Sequence, residues 1–289
     1  MHHNNNVKDN ILTNSCNFAK KLQHEYYPYI FIIGVALAKL KHIISGIFSK
    51  QRYGYGVHSP FSYHLIKNVI QEKNPYYCYE KLENLREKLS NDKEEIQFFD
   101  IQTQTFAAKQ IRNLLRDSVS AHYGQLLFRL ANHAKPQTII HFGASLGLTT
   151  GYLASVGSTI PCTAVETCPN TAIAAKKTIE ACDFSNVSIY TANNEDEIQK
   201  IIQNFPVVDF VFVDKNFKNK IKNIFYTLLP KITDKSIFVF ADINRNNETR
   251  NTWEEITKNE KVHISIDLIN MGIVYFSPEF QKQHYKFYF

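Results

Sequence analysis

The chain has 289 residues, enough to bury a sizeable core as one large domain or as a smaller domain with an extension. Its net charge of +6 is carried almost entirely by residues 1–60, where Lys8, Lys20, Lys21, Lys39, Lys41, Lys50 and Arg52 outweigh Asp9 and Glu25 by +5; the nearly neutral remainder argues against a nucleic-acid-binding surface. The five cysteines (Cys16, Cys78, Cys162, Cys168, Cys182) are odd in number and form no C-x-x-C pair, which argues against a disulfide framework or zinc site and leads to the expectation of reduced thiols in a cytoplasmic protein.

Residues 1–24 lack the apolar core and cleavage site of a signal peptide and are expected to be flexible. Residues 25–135 read as a helical region. The run "YYPYIFIIGVALA" (26–38) is uncharged over 13 residues, short of the ~20 needed to span a bilayer. With Ile30, Ile33, Leu37, Leu40, Ile44 and Ile47 at helical spacing, it predicts an amphipathic helix packed on its own domain. An interfacial membrane helix with a basic face is the alternative. "PFSYHLIKNVIQ", "YEKLENLREKLS", "AAKQIRNLLRDSV" and "YGQLLFRLANHA" carry helical periodicity. His58 and Ser59 could touch a substrate, but Ser59-Pro60 reads first as a helix cap and first turn. The aromatic cluster "NPYYCYEKLENL" reads as packing.

After Pro136 the rhythm changes. Strands are predicted at 138–142, 162–166, 187–191, 208–214 and 236–242, with helical segments near 148–157, 169–182, 195–204, 217–229 and 248–258. "KVHISIDLI" and "GIVYFS" then follow with only Asn270-Met271-Gly272 around their junction, so they should pair antiparallel. The expected fold is α/β: a doubly wound, Rossmann-like sheet of seven strands ending in an antiparallel hairpin, occupying 136–289, with an N-terminal helical extension.

The segment Gly143-Ala144-Ser145-Leu146-Gly147 reads as G-x-S-x-G, the pattern of a hydrolase nucleophile elbow. That reading needs an acid and then a histidine downstream, for which Asp214, Asp242, His263 and His284 are candidates. It also needs several strands before the elbow, and the preceding sequence is helical. A cofactor loop fits more of the chain. Gly143 permits the turn out of the first strand, Gly147 lets backbone or ligand approach, and the next helix presents free N–H groups. Glu166 ends the second strand about 20 residues on, where a carboxylate can accept two ribose hydroxyls. Ser145 is then a loop residue and not a nucleophile.

The ordered combination of "YGVHSPFSYHLI" (55–66), "LLFRLANHAKPQTIIHFGASLGLTT", "AVETCP" and "TWEEITKNEKVHISIDLINMGIVYF" resembles the class I S-adenosylmethionine-dependent methyltransferases, in particular the small-molecule O-methyltransferases, over roughly residues 50–289. The resemblance implies S-adenosylmethionine at the carboxyl ends of the first four strands, a small-molecule methyl acceptor and no nucleic-acid partner. It places the cofactor against His141, Gly143, Ala144, Ser145, Gly147 and Thr149, then Glu166 and Thr167, Ala192 and Asn193, and Asp214. Catalytic candidates are Asp214, Lys215 and Asp242.

The departures from the family pattern cluster at the site. E-L-G-T-S-L-G is His141-Phe142-Gly143-Ala144-Ser145-Leu146-Gly147; D-G-N-H is Asp214-Lys215-Asn216-Phe217; D-D-I-H-W is Ala241-Asp242-Ile243-Asn244-Arg245; and D-F-G-A-G-S is Asp100-Ile101-Gln102-Thr103-Gln104-Thr105. Metal-dependent relatives hold Mg²⁺ through acidic strand ends, but Ala241 cannot ligate and the histidine is replaced at Phe217, so no metal is expected. Lys215 or Lys218 could act as a base if burial lowered its pKa, although both read first as a solvated helix start.

Overall fold

Short runs of Ile, Val and Phe dominate the second half of the chain, and alternate residues of such runs face opposite sides of a strand. In the computed structural model these runs become a sheet buried on both faces. Residues 44, 49, 51, 54–100, 105–116 and 118–289 are described, without the side chains of 98–106. Apart from Ile44, the expected flexible segment 1–24 and the amphipathic helix over 26–47 lie outside the described residues. Residues Ser49–Phe289 form one compact unit, to which everything below belongs. No described helix is long and apolar enough to cross a membrane.

The unit opens with α1 (Pro60–Leu65), which runs into a π-helical turn at Ile66–Ile70, and α2 (Tyr77–Asn91). Ser59 caps α1, accepting the Ser62 amide at 3.3 Å with Pro60 in the first turn, so the capping role expected of it holds. A two-stranded antiparallel sheet follows, β1 (Glu95–Asp100) and β2 (Thr105–Gln110), then α3 (Ile111–Leu115) and α4 (Ala121–Ala134). The α/β part contains β3 (Ile139–Phe142), α5 (Leu148–Ala154), β4 (Cys162–Glu166), α6 (Pro169–Ala181), β5 (Val187–Thr191), α7 (Glu195–Gln203) and β6 (Val208–Val213). A 3₁₀ turn (Lys215–Lys220) leads into α8 (Ile221–Leu228), then β7 (Ile232–Ala241), α9 (Asn247–Lys258), β8 (Ile264–Asp267), β9 (Met271–Tyr275) and β10 (Gln283–Lys286).

The large sheet has the order β10-β8-β9-β7-β6-β3-β4-β5. Strands β3 to β7 are parallel, and β9 runs antiparallel between β7 and β8. From β3 the chain winds outward to β4 and β5, then returns to the other side of β3 for β6 and β7. That reversal falls at β3, and open α/β sheets bind ligands at the carboxyl ends of the strands beside such a switch point.

Alternation along the strands builds two cores. Ile139, Phe210, Phe212, Ile237 and Val239 meet Leu65, Ile66, Leu126, Leu127 and Leu130 from α1, its π turn and α4. Ile140, Phe142, Val211, Val213, Phe238 and Phe240 face the opposite way, against Ile198, Ile224, Phe225, Trp253 and Ile256 of α7, α8 and α9. The aromatic cluster of α2 is packing, as expected: Tyr76, Tyr79 and Phe128 stand edge to face. On α4, Arg129 is buried and donates from Nε to the Val69 carbonyl (2.8 Å) and from a terminal nitrogen to that of Ile70 (3.1 Å). It thereby satisfies carbonyls that the π-helical turn leaves open at its end.

The structure differs from the sequence reading in two places. "AAKQIRNLLRDSV" was expected to be helical throughout, yet it is strand as far as Gln110 and helix only from Ile111. β1 offers Glu95–Asp100 as a hydrogen-bonding partner, and that pairing overrides local propensity. The helical spacing of Ile111, Leu114 and Leu115 survives in α3, which packs with Ile96 and Leu146. Beyond the seven expected strands, β10 adds an eighth, parallel to β8.

Candidate active site at the carboxyl ends of the parallel strands

The loop after β3 turns because Gly143 adopts φ +117°, and no larger residue fits: a Cβ there would lie 2.6 Å from Asp214 Cβ at the end of β6. Gly147, at φ +83°, serves a different approach. Its missing Cβ would meet the Ala175 carbonyl of α6 at 2.8 Å, so the close contact that this glycine permits is with helix backbone. Between them Ser145 holds a left-handed φ of 49°, which a residue with a Cβ adopts only when held there. No side chain caps the amino-terminal turn of α5, where Thr149 is buried.

Glu166 is what holds Ser145. One carboxylate oxygen accepts the Ser145 amide at 2.7 Å, and the other accepts the amides of Thr167 (2.8 Å) and Cys168 (3.2 Å) and the Thr167 hydroxyl (3.3 Å). The group is 3% exposed. Burial raises its pKa, and those same hydrogen bonds pull against the rise. The carboxylate expected to face ribose is thus, in this structure, the clamp on the glycine loop. Ala192 donates its amide to the Glu166 carbonyl and is buried, whereas Asn193 is exposed and its amide goes to Glu197.

Asp214 is fully buried beside Gly143. Its Oδ1 accepts the Lys215 amide at 2.6 Å, and Oδ2 has no hydrogen-bond partner. Burial pushes its pKa up to about 7 against the pull of Lys215, with Asp242 and Glu166 adding to the rise. The Lys215 amine donates to the Arg116 carbonyl at 3.1 Å. Asp242, at φ 55°, lies at the end of β7, donates its amide to the Asn270 carbonyl (2.6 Å) and pairs with Arg245 (3.2 Å). Phe217 is buried against Phe142. Among the described residues no group of three His, Cys, Asp or Glu side chains could hold a metal ion.

His141 points elsewhere. Its ring is buried against Phe212, with Nδ1 3.0 Å from the Thr150 hydroxyl, and burial pushes its pKa down to about 3. It packs between sheet and helix as a neutral group. The histidines that a hydrolase would require are engaged far along the chain, His263 with the Phe280 carbonyl and His284 with Ser265. Ser145 Oγ instead lies 3.2 Å from Ser118 Oγ. Ser118, which the sequence reading placed inside the helical run "AAKQIRNLLRDSV", is brought to the glycine loop by the fold and was missed for that reason. Residues 101–104, where the family's glycine-rich segment is altered, lie outside the described residues.

The sequence matches no protein-family model and no curated protein. The fold does find solved structures. It is similar to the O-methyltransferase from Bacillus cereus in complex with SAH (S-adenosylhomocysteine), at 17% identity over 73% of this chain and 96% of that one, TM-score 0.51. TomG from Streptomyces achromogenes, an O-methyltransferase involved in tomaymycin synthesis and solved with SAM (S-adenosylmethionine), is similar at 16% identity, 73% and 95% coverage and TM-score 0.51. The SAH-bound methyltransferase PaMTH1 of Podospora anserina is similar at 11% identity, 71% and 99% coverage and TM-score 0.50. At such identities the shared property is the architecture. This chain shares their fold, a mostly parallel α/β sheet that closes with an antiparallel strand.

Proposed function

We propose that this protein binds S-adenosylmethionine at the glycine loop and transfers its methyl group to a hydroxyl of a small molecule without a metal ion. The observation that carries the reading is Asp214, a fully buried carboxylate at the end of β6 beside Gly143, whose Oδ2 has no partner. A buried oxygen left unpaired costs free energy that a bound donor would recover. The rest of the site fits the cofactor too: a turn that only glycine can make, an uncapped first turn on α5 and an acidic end to β4. Gly143, Ala144, Ser145, Gly147 and Thr149 would line it, Glu166 and Thr167 would take the ribose side, and Ala192 and Asn193 would flank the base.

The cofactor supplies an electrophilic methyl on a sulfonium. The chain's contribution is placement, because in-line displacement gains most from fixed geometry. Asp242 and Asp214, on neighbouring parallel strands, would face the acceptor hydroxyl and receive its proton. The Lys215 amine is held by the Arg116 carbonyl, so it serves better as a tie across the site than as a base. A second reading, a methyltransferase-fold protein that binds without catalysis, draws support from Glu166, whose carboxylate is already engaged by four donors.

Calorimetry with S-adenosylhomocysteine tests the cofactor assignment. Wild type should bind. Glu166→Ala should weaken binding by about 1.5–3 kcal/mol, the usual worth of hydrogen bonds to a charged group. A folded wild type that takes up no S-adenosylhomocysteine would sink the reading, and binding without any methyl transfer would favour the second one. Metal independence has its own test. Transfer should persist in EDTA, and Ala241→Asp should create a Mg²⁺ response by adding an oxygen ligand beside Asp242. Wild-type activity abolished by EDTA and restored by Mg²⁺ would show that the existing carboxylates suffice.

A further inference from the structure

Asp242 owes its position to a turn outside its own strand. Its left-handed backbone is anchored by the amide bond to the Asn270 carbonyl at 2.6 Å. That turn is itself unfavourable: Ile269, β-branched and buried, stands at φ 72°, a conformation such residues almost never take unless held. Besides the Asn270 amide, which donates to the Leu268 carbonyl (2.9 Å), four hydrogen bonds tie it to its surroundings. Asp267 Oδ1 accepts the Ile269 amide (2.7 Å), and Asn244 donates its side-chain amide to the Ile269 carbonyl (2.8 Å). The Leu268 amide reaches the Met271 carbonyl (2.8 Å), and the Tyr123 hydroxyl donates to the Leu268 carbonyl (3.3 Å).

Segment 283–289 braces two of these four. The Phe287 amide donates to the Asp267 carbonyl (3.0 Å), and Lys286 Nζ lies 3.6 Å from Asp267 Oδ2. Phe289 stacks on His122, ring centroids 4.1 Å apart, and its ring lies 5.4 Å from that of Tyr123. Burial pushes the Tyr123 phenol up to about 12 against the pull of a hydrogen bond with Asn270, with Tyr288, Asp242 and Asp267 adding to the rise, so its hydroxyl remains a donor.

We propose that Tyr123, backed by Phe289, is a positioning residue for Asp242. It pins the turn Leu268–Asn270, and that turn fixes the carboxylate at the acceptor side of the site. The importance of this for catalysis rests on the methyl-transfer reading, but the coupling can be measured without it. In the full chain, amide exchange by NMR should show the Asp242 amide exchanging about tenfold faster in Tyr123→Phe and in Phe289→Ala. The Gly147 amide, the melting temperature and S-adenosylhomocysteine affinity should stay unchanged. Phe289→Trp, which restores a flat ring, should return the Asp242 amide to its original rate. Tyr123→Phe removes only the hydroxyl, so the fold is preserved in at least one variant. An unchanged Asp242 rate in both variants would overturn the proposal, as would equal loosening at Asp242 and Gly147. Failure of wild type to bind S-adenosylhomocysteine would count against the proposed function and leave the exchange result standing.

Discussion

Asp214→Asn should make the protein markedly more stable at about pH 8 while changing little at about pH 4. Asp214 has its pKa raised from an ordinary 3.8 to about 7 by complete burial. Below the unfolded value both states carry the proton and the group makes no difference. As pH rises from there, the unfolded chain releases the proton while the folded chain keeps it, so stability falls until the folded pKa is passed. The loss is on the order of 2–4 kcal/mol, since each pKa unit is worth about 1.4 kcal/mol. Asparagine cannot ionise and avoids that loss, and its side-chain oxygen can still accept the Lys215 amide. Melting curves of the two proteins should therefore nearly coincide at about pH 4 and diverge as pH rises, with Asp214→Asn the more stable by roughly 5–10 °C on the alkaline side. Parallel profiles would mean that water or a rearranged loop solvates the carboxylate.

The second large effect is expected at Arg129. Replacing it with methionine keeps the volume but removes the donors to the Val69 and Ile70 carbonyls, and with them a contact to the Tyr79 hydroxyl at 3.5 Å. Two buried acceptors would lose their partners, each costing about 1–3 kcal/mol, so Arg129→Met should lower unfolding free energy by about 3 kcal/mol. Urea denaturation measures this directly. Arg129→Lys should recover only part, because a single ammonium cannot reproduce the fork that reaches two carbonyls at once. A loss below ~1 kcal/mol would show that water satisfies those carbonyls.

Most of the sheet was legible because burial on both faces leaves a plain trace: "IIHF", "CTAVE" and "VDFVFV" are runs that only a covered strand would carry. The glycine loop was legible for a similar reason, since Gly143 marks a turn that a Cβ would block. What stayed hidden depends on partners distant in sequence. Residues 105–110 become a strand only because 95–100 lie alongside. The use of Gly147 could not be told, because a missing Cβ does not say whether ligand or Ala175 fills the space. Glu166 could be placed at a strand end, but its engagement with Ser145, Thr167 and Cys168 depends on loop conformation. The inward turn of His141 follows from Thr150 and Phe212, which periodicity alone does not pair with it.

The two borders of the large sheet have unequal consequences for how copies of this protein meet. On one side β10 covers β8, and its own outer row ends in Lys286 after a segment carrying Lys282, charges that oppose pairing with another chain. On the other side, among the described residues, β5 has a strand neighbour on one flank only. Its sequence, Val187-Ser-Ile-Tyr-Thr191, has no charge and no proline, and Tyr190 is 50% exposed. An uncharged border strand of this kind can act as a template for a second chain, so self-association in concentrated or heated solution should begin there. A lysine at Tyr190 should accordingly delay the onset of light scattering on heating without shifting the unfolding midpoint.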